Sequence, residues 1–228
     1  MPDVARPPEE PLPTRIVLRP MGTPLPLGFL ALAGGTVLVS GLQLGWLDAA
    51  DSPTVGLLLI AFVVPLQVVS SVLSFLARDV VAGTGMGILF GTWLAIGLVT
   101  LTAEPGARSA PLGTLLLVSA VAMLLPGTAA LPAKVVPAAV LLTTSLRFTL
   151  TAAFQLAGGR ALRLAAGGVG LVLATLAVYA ALALVYEDAR GRTVLPVLRR
   201  GRARRAMEGP YADQVARLPR EAGVRDQL

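Results

Sequence analysis

"TVGLLLIAFVVPLQVVSSVLSFLA" runs from Thr54 to Ala77, and no charged residue falls between Asp51 and Arg78. At about 1.5 Å of rise per residue, an α-helix of this length covers the roughly 30 Å hydrocarbon core of a bilayer. Lipid offers no partners for backbone N–H and C=O groups, so a spanning segment is either a helix or a strand of a closed barrel. This run lacks period-two alternation and is far too long for a barrel strand. It therefore reads as a membrane-spanning helix. Pro65, in its interior, frees a carbonyl one turn earlier and can kink it.

The same reading extends to five more segments, at Pro26–Trp46, Val81–Thr102, Pro111–Leu131, Val135–Leu156 and Leu164–Tyr186. Pro126 lies inside the fourth. The fold class is thus an all-α membrane protein, a bundle of six transmembrane helices. Short connections make consecutive helices antiparallel neighbours. Small residues, among them Gly34, Gly35, Gly41 and Gly45 in the first span and Gly167, Gly168 and Gly170 in the last, let helix backbones approach closely in lipid.

Composition agrees. Of 228 residues 55% are hydrophobic and 14% charged, against about a quarter charged in soluble domains. With 0 His and 0 Cys, thiolate or imidazole metal sites, Cys nucleophiles and Ser-His triads are excluded. No metal or cofactor is expected, and no enzyme activity. No P-loop is present, so ATP does not drive the protein. The net charge of +6 arises largely from arginines after Arg190; it reports topology and contact with anionic lipid headgroups. Nucleic acid is not an expected partner, since the tail has Tyr211 as its one aromatic residue and no recognisable module. Lys134 is the single lysine among 19 basic residues, a usage that fits a GC-rich bacterial genome.

The arginines also set the orientation. If both ends face the cytoplasm, that side holds Arg6, Arg15, Arg19, Arg78, Lys134 and the arginines from Arg190 onward, and the outside holds Arg108, Arg160 and Arg163. The positive-inside rule favours this arrangement, which requires an even number of spans. The expected organisation is a cytoplasmic arm at residues 1–22, a membrane domain at 23–189 and a basic cytoplasmic tail at 190–228, in a bacterial inner membrane.

One residue breaks the apolar pattern. Arg147 lies within the fifth span, where a charge costs about 2.5–3.5 kcal/mol on insertion scales. Thr143, Arg147, Thr151 and Gln155 recur every four residues, which makes one stripe on a helix. No carboxylate lies inside any span. Two readings fit: the long side chain snorkels to the outer headgroups or fills a structural role, or it attracts an anion, whose carboxylate suits a guanidinium fork. Further polar side chains are Gln67, Ser70, Ser71 and Ser74 in the second span, Thr36, Ser40 and Gln43 in the first, and Thr84 and Thr92 in the third. Such groups line pores and also bond helices together.

Two motifs carry a resemblance. "TPLPLGFLALAGGT" (Thr23–Thr36) resembles the Asn-Pro-Ala-Pro-Leu-Gly signature opening the first helix of the acetate uptake transporters, the succinate–acetate permease type. "YEDARGRTVLP" (Tyr186–Pro196) is similar to the stretch that closes their membrane domain. Gln67, Thr84 and Trp93 stand in matching register. The resemblance implies a ring-forming six-helix protomer, a hexamer, and a path through each protomer for small monocarboxylates such as acetate, with succinate as a further substrate. It places Pro24, Pro26, Leu27 and Gly28 at the inner approach. Leu32 and Leu89 stand where relatives narrow the path with a Phe and a Tyr, and Ser74 and Thr23 replace an acid and the opening Asn.

The reading that follows is passage of a small organic anion or its conjugate acid. Leu32 and Leu89 would form a dry constriction; Arg147, Thr143, Thr151, Gln155, Gln67, Ser74, Thr36 and Thr84 would flank the path. The alternative is a non-transporting scaffold or sensor that acts through its basic tail.

Overall fold

The computed structural model describes residues 22–209. Each expected span is a helix there. α1 (Leu25–Leu44) has Pro26 in its first turn, where a missing N–H loses no intrahelical bond. It ends at Gly45, whose φ of 88° is the left-handed conformation that glycine adopts without strain. The second span is composite. A 3-10 turn (Ala49–Asp51) leads into α2 (Ser52–Leu58), a π-helical turn (Leu59–Val63) and α3 (Val64–Leu76). The break expected at Pro65 takes this form: the proline sits in the first turn of α3, and the wide turn directly before it absorbs the missing donor.

α4 (Val80–Thr102) is capped by Asp79, whose carboxylate accepts from Ala82 N at 2.9 Å, and α5 (Ala110–Ala130) by Ser109, which accepts from Leu112 N at 3.3 Å. α6 (Val135–Ala157) follows. α7 (Arg160–Arg190) has 31 residues and outruns the expected Leu164–Tyr186 at both ends. A short helix, α8 (Gly201–Glu208), closes the described chain.

The six spans form a closed ring. α1 packs on α3, α3 on α4, α4 on α5, α5 on α6, α6 on α7, and α7 returns to α1. Small residues set the closest crossing: a Cβ on Gly56 would lie 2.5 Å from Leu101 N and 2.7 Å from Gly97 O, so α2 and α4 touch backbone to backbone. Large apolar side chains such as Val118, Val121, Leu125 and Phe62 stay exposed on the outside, as a bilayer or a neighbouring subunit requires.

One face of the ring carries the ends of the membrane domain, at Leu25 and Arg190; call it the terminal face, and its opposite the far face. The chain stays packed on the membrane unit beyond residue 189. After Gly191 the chain folds back across the start of α6. Val135 N and Val136 N donate to the carbonyls of Leu198 and Val197, both at 3.3 Å, and Arg200 N donates to Ala133 O at 2.9 Å. These bonds satisfy donors that a helix N-terminus otherwise leaves orphaned. Val197 is buried, Tyr179 Oη donates to Pro196 O at 3.0 Å, and Arg199 forms a two-pronged ion pair with Glu187, which also accepts from Thr193. The expected arm, with Arg6, Arg15 and Arg19, and the tail from 210, with Tyr211, lie outside the described residues.

Candidate functional site

Two cavities approach the ring axis from opposite faces. The far-face cavity, about 150 Å³, starts near Glu104 and Ala107 and reaches Gln43, Thr151 and Arg147. The terminal-face cavity, about 130 Å³, starts near Asp79 and Lys134 and reaches Phe29, Met86 and Leu141. Between the levels of the residues lining them, on α1, α4 and α6, lie Leu32, Leu89, Trp93 and Thr144, all fully buried. Leu141 lines one cavity and Arg147 the other, a helical separation of about 9 Å. The protein between the cavities is therefore thin and mostly apolar.

Arg147 points inward. Its residue is 2% exposed, which rules out the snorkelling reading. Nη2 donates a long hydrogen bond to Thr36 O (3.4 Å), and Cζ sits 5.6 Å from the Trp93 ring centroid, a cation–π distance. Nε has no partner. Among the described residues no carboxylate pairs with it. Among the described residues, the other unpartnered buried polar atoms are Thr36 Oγ1, Ser40 Oγ, Gln43 Oε1, Trp93 Nε1 and Gln67 Oε1. A charge in this setting with so few acceptors is poised for an anion or water. Gly170 of α7 makes the room: a Cβ there would collide with Ser40 Oγ and lie 2.8 Å from Arg147 Nε.

The other expected residues divide. Thr151 lines the far cavity and accepts from Gln43 Nε2 at 3.4 Å; Gln155 lines it too, and its Oε1 accepts from Ser109 N at 2.9 Å. Thr36 is fully buried beside Arg147. Leu32 and Leu89 stand between the cavities. Gln67 is buried, with Nε2 donating to Gly28 O at 3.0 Å and Oε1 unpartnered. Ser70 Oγ donates to Pro24 O at 3.0 Å, so α3 braces the Pro24–Gly28 motif, with Pro26 buried and Leu27 half-buried within it. Thr143 and Thr84 are half-buried and line neither cavity. Ser74 donates to Ser70 O of its own helix at 2.7 Å. The inward side of α6 is Thr144, Arg147, Phe148 and Thr151; a strict four-residue period drifts off a 3.6-residue helix, and Thr143 falls outside.

Several members of the site were not placed on the path from sequence. The Thr36, Ser40 and Gln43 spacing of four and three marked a face of α1, but only Thr36 was placed on the path. Trp93 and Gly170 meet Arg147 across long stretches of chain, and no local pattern signals such encounters.

A ring of six spans with a cavity at each face and a thin apolar seal between them is the architecture of a membrane channel or transporter. The chain belongs to the GPR1/FUN34/yaaH family, whose sequence profile matches residues 8–199. It is also similar to a solved structure, that of the bacterial acetate channel SatP, with 26% identity and a TM-score of 0.69, covering 78% of this chain and 99% of that one. No curated protein matches.

Proposed function

We propose that this chain passes small monocarboxylates, acetate-like anions, along the axis of each protomer. The observation that carries the reading is the buried Arg147 guanidinium at the inner end of the far cavity, with Nε unpartnered and, among the described residues, no carboxylate paired with it. The likeness to an acetate channel supports the substrate class. Arg147 raises the local anion concentration, and Gln43, Thr151 and Gln155 replace part of the carboxylate's water. Leu32 and Leu89 keep the seal dry against ions. Thr36 and Gln67 offer polar contacts along the axis, and the Pro24–Gly28 motif shapes the inner approach. No histidine is present, and among the described residues no carboxylate lies between the cavities, so a co-transported proton travels on the substrate acid.

The reading includes a homo-oligomer, a hexamer by family resemblance, in a bacterial inner membrane. Both termini are cytoplasmic, with the terminal face inside, and the basic tail rests on anionic headgroups.

Labelled acetate, propionate and lactate flux into proteoliposomes tests the proposal. Wild-type protein conducts at least one of them. Arg147→Leu, assembled normally, loses about 1–3 kcal/mol of anion stabilisation, a five- to hundredfold drop in flux. Unchanged flux for every anion would sink the role of Arg147.

A further inference from the structure

Beside the far cavity lies a shallow trough of about 440 Å³, lined by Arg108, Phe154, Arg160, Arg163 and the Gly158–Gly159 turn. Gly106, Phe154 and Arg163 line both spaces, so the trough is continuous with the cavity that ends at Arg147. Its three arginines are the whole basic complement of the far-face loops and of the first turn of α7. Among the described residues none of them pairs with a carboxylate. The acids of that face are Asp48, Asp51 and Glu104, and none of them lines the trough.

Two of these arginines occupy an electrostatically unfavourable place. α7 begins after Gly159 with no side-chain cap and no acid in its first turn. A helix N-terminus already carries partial positive charge, where acids stabilise and cations do not. Yet Arg160 and Arg163 stand there. Arg108 joins them from the α5 side: a Cβ on Gly158 would lie 2.6 Å from its Nη1. The φ values of 76° and 97° at Gly158 and Gly159 form the tight turn under that guanidinium. Three cations and a helix dipole thus converge on one concavity whose own lining holds no acid among the described residues; Glu104 lines the adjoining far cavity instead.

From this we infer that the trough is an anion-collecting antechamber, which concentrates the carboxylate substrate at the far-face mouth and hands it to Arg147. The inference rests on the monocarboxylate reading above. Charge focusing of this kind raises encounter rates by about 10–1,000-fold in favourable clefts and fades with salt.

The test uses oriented proteoliposomes of uncharged phosphatidylcholine and compares wild type, the triple variant Arg108→Gln/Arg160→Gln/Arg163→Gln, and the triple lysine variant. Labelled acetate enters from the far-face side, well below saturation. At about 0.01 M salt, where screening extends about 30 Å, the glutamine variant takes up acetate about three- to tenfold more slowly, and the lysine variant matches wild type. At about 1 M salt, with screening near 3 Å, all three converge. Flux from the terminal face changes less. A glutamine variant equal to wild type at low salt, or one equally impaired at every salt concentration, overturns the antechamber. So does a defect that appears only when anionic lipid is added, which would make the trough a lipid-phosphate site. Wild-type protein that conducts no monocarboxylate overturns the transport reading itself, and is told apart because the loss precedes any substitution.

Discussion

Arg147 is held less by what it bonds than by what surrounds it. One long hydrogen bond to Thr36 O and the face of Trp93 position the guanidinium, and Gly170 leaves it space. Gly170→Ala therefore pushes a methyl group into Ser40 Oγ and Arg147 Nε; overpacking of this kind costs about 1–3 kcal/mol. The expected outcome is a drop in flux of about tenfold with an unchanged size-exclusion profile, partly recovered in Gly170→Ala/Ser40→Ala; size-exclusion and flux together check it. Trp93→Leu removes the cation–π contact, about 0.5–2 kcal/mol, and flux measured alongside Arg147→Leu should show non-additive losses, because the two residues act on one charge. The prominence of Arg147 was legible in the sequence because a charge inside an apolar run violates a strong rule. Thr36 was legible as a polar group on the path, but its meeting with Arg147, and those of Trp93 and Gly170, were not, since the three come from three other helices and no local pattern brings them together.

At the scale of the element, the spans were legible to within a few residues because bilayer thickness imposes their length. The exceptions have physical causes. α7 runs from Arg160 to Arg190, and its polar ends carry no hydropathic signal although their backbone stays helical. Pro65 announced a break in the second span, but not that the chain would answer with a π-helical turn at Leu59–Val63. Gly56 and Gly97 look alike in sequence to Gly91, yet a Cβ on Gly91 meets nothing within 4 Å while one on Gly56 meets the backbone of α4. Gly56→Ala should lower the thermal midpoint in detergent by about 4–8 °C, and Gly91→Ala should leave it within about 1 °C. Thermal unfolding of the two variants beside wild type checks the contrast; equal midpoints would contradict the backbone crossing.

For the whole molecule, short loops made the order of neighbours legible, whereas the closure of α7 on α1 and the return of residues 196–200 to the start of α6 rest on contacts between distant stretches of chain. Glu187 anchors that return through Arg199 and Thr193. Glu187→Gln leaves Arg199, whose side chain is 14% exposed, without its counter-charge, a change that costs about 3–5 kcal/mol for fully buried pairs and somewhat less here. The segment should then loosen, and trypsin should cut after Arg199 and Arg200 several-fold faster than in wild type; an unaltered digestion rate would show that the pair does not hold it. The closing contacts also fix a timetable for synthesis. α1 leaves the ribosome before the other five spans, yet the flank it presents to α7 stays bare until the sixth span has been inserted. The first amides of α6 meet their carbonyls later still, when residues 197 and 198 emerge. A nascent chain halted before α7 is inserted would sit in the bilayer as an unsealed crescent, so translation must pass residue 190 before the ring can shut.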